Sequence, residues 1–266
     1  MISWRICSPC GSAARTANSP IMALYKAILA YDGTEFKGFQ RQAAGRTVQG
    51  EVENALKRVG WTGATISAAG RTDAGAHASG QVISFEMDWR STPARLQRAL
   101  NALLPPDAAV RRLDLAAADF HPRYSAKRRR YTYRILLDPA PDPLRERTTW
   151  RIWPKPDVSV LEQASGLFAG EHDFAAFGRP PKPGGPTVRQ VYESGWISDP
   201  PETVYTIEAN AFLFRMVRRI VKCQLDAARG KTSIGEIEDR LAGKTTDMVQ
   251  GLAPAKGLTL ESVWYD

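Results

Sequence analysis

The order in which the hydrophobic periodicity changes along this chain constrains its fold more than any other feature. Ala23 to Tyr31 reads as a strand closed by a turn at Asp32-Gly33. Thr47 is placed to cap a helix, and Val48, Val52, Ala55, Leu56 and Val59 recur at helical spacing behind it. Thr65 to Ala69 is a short strand, and Gln81 to Glu86 is another. Pro93 suits the first turn of a helix with Leu96, Ala99, Leu100 and Leu103 on one face, which Pro105-Pro106 ends. Ala109 to Leu115 is a further strand.

The second half repeats the order. Arg130 to Leu137 is a strand, and a Pro-rich connection runs from Pro139 to Pro156. Val158, Leu161, Ala164, Leu167 and Phe168 mark a helix. Gly178 to Gly185 is a loop, and Val188 to Ile197 with Thr203 to Ala209 forms a hairpin around Asp199-Pro200-Pro201. A long helix is predicted from about Ala211 to Arg229. A capping box at Ser233 and Glu236 opens one extra helix, and Leu258 to Tyr265 is the last strand.

Each half is thus β-α-β-β-α-β, the ferredoxin-like order. The expected fold class is α+β: two such units with mainly antiparallel sheets, helices on one face and a cleft between the halves. The expected domains are residues 22–117 and 118–266, with no residue-level repeat between them. Residues 1–21 lack the apolar core of a signal peptide and read as a disordered leader, with Met22 as the functional start. Cys7 and Cys10 have metal-type spacing, but no second Cys/His pair completes a ligand set.

Hydrophobic residues make up 43% of the chain, enough for a core. Lys and Arg number 36 against 28 Asp and Glu, a formal charge of +8, which favours a polyanionic partner. No apolar run approaches the roughly 20 residues of a membrane span. Three cysteines cannot all pair with one another, so the cytoplasm is the expected compartment.

Gly70-Arg71-Thr72-Asp73-Ala74-Gly75-Ala76-His77 cannot build core, because it has too little apolar surface to offset its ordering entropy. It reads either as a rigid loop presenting Asp73 or as an ordinary polar connection. Gly70 and Gly75 have the glycine spacing of a P-loop, but Ala76-His77 replaces the Lys-Ser/Thr that phosphate binding needs. A parallel dinucleotide-binding series is absent. The three histidines, His77, His121 and His172, have no ligand-like partners at short range, and a lone loop histidine is more often a structural hydrogen-bonder.

Two basic stretches accompany that loop. His121 to Arg134 carries Arg123, Lys127, Arg128, Arg129, Arg130 and Arg134 without an acid, interleaved with Tyr124, Tyr131 and Tyr133. Cations neutralise phosphates and aromatic faces stack on unpaired bases, so nucleic acid is favoured over a solvated edge strand. In Phe212 to Lys222, Leu213, Met216, Val217 and Ile220 form one stripe, opposite Arg215, Arg218, Arg219 and Lys222. Arg218 and Arg219 flank the apolar stripe, and periodicity leaves open which of them reaches inward to a carboxylate.

Taken together these motifs resemble the TruA family of tRNA pseudouridine synthases. The matching pieces are Gly70 to Gly75 with His77 and Gly80-Gln81-Val82, and Tyr31 to Thr34 with Gly38-Phe39-Gln40. Further along come Phe120-His121 with Arg123, Ser125-Ala126 and Arg130-Tyr131, then His172-Asp173-Phe174 with Phe177. Thr187 with Arg189, Met216-Val217-Arg218 and Gly257-Leu258 complete the series. They run in the family's order from about residue 23 to the end. Ala76 stands where valine is usual, and the leader has no counterpart.

The resemblance implies isomerisation of uridine to pseudouridine at positions 38, 39 and 40 of the tRNA anticodon stem-loop. It implies no cofactor, metal or nucleotide, and a homodimer that binds tRNA jointly. Asp73 matches the essential aspartate, Tyr131 the tyrosine that stacks on the target base, and Arg218 the arginine paired with the aspartate. Arg71 matches an arginine that holds the flipped-out arrangement. Arg123, Arg128, Arg129, Arg130 and Arg215 are the further candidates for substrate binding. The reaction calls for a carboxylate that attacks the sugar or takes up a proton, and for a base extruded from paired RNA. A non-catalytic RNA-binding or RNA-chaperone protein on the same scaffold is the alternative, and a hydrolase with paired carboxylates lacks a second candidate acid.

Overall fold

The structure, a computed structural model, describes residues 22–245 and 247–266. The expected leader, with Cys7 and Cys10, lies outside them. In the first half, strand β1 (Met22–Tyr31) is followed by helix α1 (Val48–Arg58), β2 (Ser67–Ala68), β3 (His77–Asp88), α2 (Pro93–Leu103) and β4 (Ala108–Leu115). The second half opens with β5 (Arg128–Leu136), β6 (Trp150–Arg151), α3 (Val158–Gly166), β7 (Gly170–Asp173), β8 (Val188–Asp199) and β9 (Glu202–Ala209). It closes with α4 (Met216–Ala227), α5 (Ile234–Leu241) and β10 (Leu258–Trp264).

The first half arranges its strands β4-β1-β3, with β2 on the far side of β3. The second arranges its main strands β10-β5-β9-β8. Numbered within each half, both give the order 4-1-3-2 of the ferredoxin-like unit. Instead of two separate sheets, the halves share one sheet of ten strands. The junction follows from the shortness of β2, which pairs only with Ser84 and Ile83 of β3. That leaves the start of β3 with an open edge, and β10 fills it in parallel at His77 and Ala78 while running antiparallel to β5. Gly80 lets the two backbones meet there, since a Cβ on it would lie 2.1 Å from the carbonyl oxygen of Glu261. The expected boundary between residues 117 and 118 falls in the connection from β4 to β5, and the sheet runs on across it.

Helix α1 packs on α2, while α3 packs on α4 and β8. Phe168, Phe174, Phe177, Tyr133 and Tyr205 are fully buried in the second half, and Leu29, Leu56, Ile83, Leu96 and Leu100 in the first. Thr47 caps α1 and Thr92 caps α2, each accepting a backbone N–H in the first turn, and the capping box of α5 is complete.

Four elements differ from the sequence reading. The long helix begins at Met216 rather than near Ala211, because Arg215 takes a left-handed conformation (φ +62°) and the Phe214 N–H pairs with Arg179 O at 2.9 Å. Strand β3 starts at His77, where small residues hide the alternation. Strands β6 and β7 were not anticipated: one is two residues long and the other reads Gly-Glu-His-Asp, with no apolar side chain to show a period.

Candidate active site

The loop between β2 and β3 is fixed from every side. Gln81, fully buried, donates from Nε2 to Gly70 O at 2.9 Å. The Thr72 hydroxyl bonds the Tyr31 hydroxyl at 2.8 Å, and Thr72 O accepts the Phe39 N–H at 3.1 Å. Gly75 (φ +79°) turns the chain back so that the Ala76 N–H reaches Asp73 O at 3.1 Å, a conformation that favours glycine. Buried His77 accepts the Gly33 N–H on Nδ1 at 3.0 Å, and its Nε2 lies 3.0 Å from the carbonyl oxygens of both Arg147 and Lys256. It is a clamp with both ring nitrogens occupied, which is the structural role a lone loop histidine usually has.

Gly33 has a tighter constraint still: a Cβ there would lie 1.9 Å from Ala76 O. Gly33→Ala must therefore displace backbone, and about 1–3 kcal/mol of stability should be lost, the range for overpacking. Thermal unfolding would measure it, and an unchanged midpoint would show that the 31–34 turn is free to move away from the loop.

Asp73 is thereby held at the wall of a cavity of about 910 Å³, lined by both halves. That volume lies in the range of small-ligand pockets. Its carboxylate accepts a hydrogen bond from Nη1 of Arg218, whose Nε donates to Ala253 O at 2.7 Å. Asp73 is 18% exposed and Arg218 13%. Of the two flanking arginines on α4, it is Arg218 that turns inward, while Arg219 Nη1 donates to Phe214 O at 3.4 Å. Arg215 Nε stands 3.9 Å from Asp73. Tyr131, buried on β5, lines the same cavity and meets Phe212 edge-on, with ring centroids 4.9 Å apart. Burial pushes its hydroxyl up to about 12, with the nearby charge of Asp73 adding to the shift and Arg129 opposing it.

The remaining candidates divide by the pleat of β5. Arg129 faces the cavity but is nearly sealed, and its guanidinium donates to Ala69 O (3.2 Å from Nη2), Asn210 O (2.9 Å) and Arg123 O (2.8 Å). It ties the start of the Asp73 loop to two other segments, so its contacts are those of a strut. Arg71 and Arg123 line the cavity. Arg128 and Arg130 are not brought to it. They project from the other face of the sheet, where both pair with buried Glu208 and Arg130 also pairs with Glu193.

Some of the lining was not singled out from sequence. Phe212, Phe214 and Arg179 all face the cavity, as does Arg189, which the sequence offered only as a motif position. Phe212 and Phe214 sit in a segment read as helix, and Arg179 sits just before Pro180-Pro181 in a loop set aside as connection. Among the lining residues Asp73 is the one acid, against Arg71, Arg123, Arg129, Arg179, Arg189, Arg215 and Arg218. Buried Glu53 is not a second acid for chemistry. Its oxygens accept from Arg41, Gln49, Thr65 and the Ile66 N–H, and Glu53 itself does not line the cavity. Among the described residues no cluster of three His, Cys, Asp or Glu side chains is arranged to hold a metal ion, and no helix is long and apolar enough to cross a membrane.

Fold and site therefore define a double ferredoxin-like protein with one paired carboxylate in a cationic cleft. The profile of the family described as tRNA pseudouridine synthase matches residues 27–125 and 164–266. A tRNA pseudouridine synthase A of Geobacter sp. (strain M21) is 38% identical over 242 residues, covering 90% of this chain and 98% of that protein. One from Lacticaseibacillus casei (strain BL23) is 37% identical over 247 residues, covering 92% and 100%. One from Geobacillus kaustophilus (strain HTA426) is 39% identical over 243 residues, covering 91% and 94%. The chain belongs to the tRNA pseudouridine synthase family.

Proposed function

We propose that the chain isomerises uridine to pseudouridine in the anticodon stem-loop of tRNA, with Asp73 as the catalytic group. One observation carries the reading: the single acid of a strongly basic cavity is paired with Arg218 and shares its wall with Tyr131. The relatives' names, tRNA pseudouridine synthase A, supply the substrate and the reaction.

In that reaction the bond from N1 to the ribose breaks, the base turns, and C5 bonds the same carbon. The C5 hydrogen leaves to solvent and N1 gains one, so atoms balance without a redox partner. Asp73 serves either by attacking the sugar carbon or by removing its proton. Arg218, anchored by Ala253, keeps the carboxylate aimed and compensates its burial. Tyr131 offers a ring for the extruded base, and its hydroxyl stays protonated at neutral pH. Arg71, Arg123 and Arg215 are proposed to meet phosphates, and Arg129 to position the loop. The proposal includes anticodon positions 38, 39 and 40 and a homodimer, which follow from the family resemblance, and a cytoplasmic location, which rests on three cysteines that cannot all pair.

The test is tritium release from tRNA labelled at C5 of uridine, followed by mapping of pseudouridine position by position. Release with products confined to the anticodon stem-loop is the expected result. Tight tRNA binding without release would instead mark a non-catalytic RNA-binding protein.

A further inference from the structure

We propose that Tyr133 is a positioning residue for the isomerisation: its buried hydroxyl sets the place of the turn at residues 253–257, and that turn holds Arg218 and the Asp73 loop in register with Tyr131. The inference rests on reading Asp73 as the catalytic group with Arg218 as its partner, and it names what aligns them.

The turn leads into β10 and contains one short helical turn, Ala255–Gly257. Its carbonyl oxygens meet side chains from three other elements. Ala253 O accepts from Nε of Arg218 on α4 at 2.7 Å, and the Ala253 N–H returns a bond to Arg218 O at 3.2 Å. Pro254 O accepts from the Tyr133 hydroxyl on β5 at 2.8 Å. Lys256 O lies 3.0 Å from Nε2 of His77, at the end of the Asp73 loop. Ala255 packs against that same loop, since a Cβ on Gly75 would lie 3.5 Å from the Ala255 Cβ. One short stretch of backbone thus touches the carriers of Asp73 and Arg218 and the strand that carries Tyr131.

Tyr133 is the link between turn and strand. It stands two positions after Tyr131 on β5, so both side chains leave the same face of the sheet. Tyr131 lines the cavity and Tyr133 does not, being fully buried. Burial raises the pKa of its hydroxyl, and the positive charge of Arg218 opposes the rise. The phenol therefore keeps its proton throughout the neutral range. Among the described residues its hydroxyl has one hydrogen-bond partner, Pro254 O. The ring is seated as closely as the oxygen. A Cβ on Gly257 would lie 2.7 Å from the Tyr133 ring and 2.9 Å from Arg134 O, so the turn lies against the strand because residue 257 is glycine.

Holding β10 to the sheet does not call for this hydroxyl. That strand already pairs with β5 from Leu258 to Trp264 and with β3 at His77 and Ala78. Phenylalanine would fill the same space with no polar atom to satisfy. What the oxygen adds is a fixed separation between the strand of Tyr131 and the carbonyl next to the one that anchors Arg218.

The experiment starts from Tyr133→Phe, which removes the oxygen and leaves the ring. Pseudouridine formation in tRNA should fall about 10- to 100-fold in kcat, the scale of misplacing a catalytic group. KM for tRNA should not change, because Tyr133 reaches no part of the cavity. Tyr205 on β9 supplies the control: it is equally buried, and its hydroxyl bonds Ser194 at 2.7 Å. Tyr205→Phe should lower the unfolding midpoint by a similar amount and leave kcat unchanged. Combining Tyr133→Phe with Arg218→Lys then asks whether the hydroxyl acts through the arginine. If it does, the losses in kcat do not multiply, and the double variant is about as slow as Arg218→Lys alone. Should Tyr133→Phe fail to fold, Gly257→Ala pushes the same turn from its other side, with the same expected loss in kcat and the same absence of further loss beside Arg218→Lys. Wild-type kcat in Tyr133→Phe, an equal loss in Tyr205→Phe, or losses that multiply with Arg218→Lys overturns the positioning role and leaves Asp73 and Arg218 in the mechanism. A wild type that forms no pseudouridine overturns the reading of Asp73, and the positioning role falls with it.

Discussion

Asp73→Asn should abolish pseudouridine formation, by at least about 10⁴-fold, the scale of removing a group that acts directly in the chemistry. The substitution is nearly isosteric, and the amide oxygen can still accept from Arg218, which keeps its second anchor at Ala253 O. The loop should stay in place, because its hydrogen bonds run through Gly70, Thr72, Ala76 and His77 rather than through the carboxylate. Tritium release would therefore vanish while tRNA affinity stays equal or rises slightly, since the cavity loses its only lining acid. Retained release would remove Asp73 from the mechanism. Loss of release together with loss of binding would point to a collapsed loop, which thermal unfolding would reveal.

Arg218→Ala should have the second largest effect, and it should strike stability as well as turnover. Removing one member of a mostly buried pair leaves the other charge uncompensated, a loss of about 3 kcal/mol. Arg215, 3.9 Å from the same carboxylate, should recover part of it. Arg218→Lys discriminates charge from geometry. One planar guanidinium holds Ala253 O with Nε and Asp73 with Nη1, and a single ammonium on a flexible stem does not reproduce that fork. Lysine should restore most of the lost stability but little of the turnover. If it restores both equally, the arginine supplies charge and nothing more.

The sequence carried the secondary structure wherever apolar residues kept a period, as in β1, α1, α2 and the β8–β9 hairpin. It failed where the period is masked. Residues 212–215 look helical because Leu213 continues the stripe of α4, yet a hydrogen bond from Phe214 to a loop distant in sequence breaks the helix. No local pattern announces that contact. Likewise the pattern gave two halves but not their fusion, since the pairing of β10 with β3 joins residues about two thirds of the chain apart, Thr259 with His77.

The site divides in the same way. Asp73 stood out because its neighbours are useless for packing, and Arg218 and Arg219 were both visible at the edge of the stripe. Choosing between those arginines needed the position of Ala253. Arg128, Arg129 and Arg130 were indistinguishable as a basic run. The pleat separates them, one turned to the cavity as a strut and two to acids on the opposite face. Arg189 gave only a motif position in sequence, and its burial and its place on the cavity wall exist only in three dimensions.

The strand that closes the gap beside β2 is also the one that follows all the other described strands in the sequence. Lys256, whose carbonyl His77 contacts, and Glu261, whose backbone crosses Gly80, both lie within the final stretch of the chain. On the ribosome the first half emerges with β1, β3 and β4 able to pair, but with the start of β3 still an unsatisfied edge. Contacts this distant in sequence form late because long loops must close first. The aspartate loop thus reaches its working shape only once β10 has docked, and a chain cut before β10 would carry Asp73 without the Lys256 contact of His77 and the Glu261 crossing at Gly80.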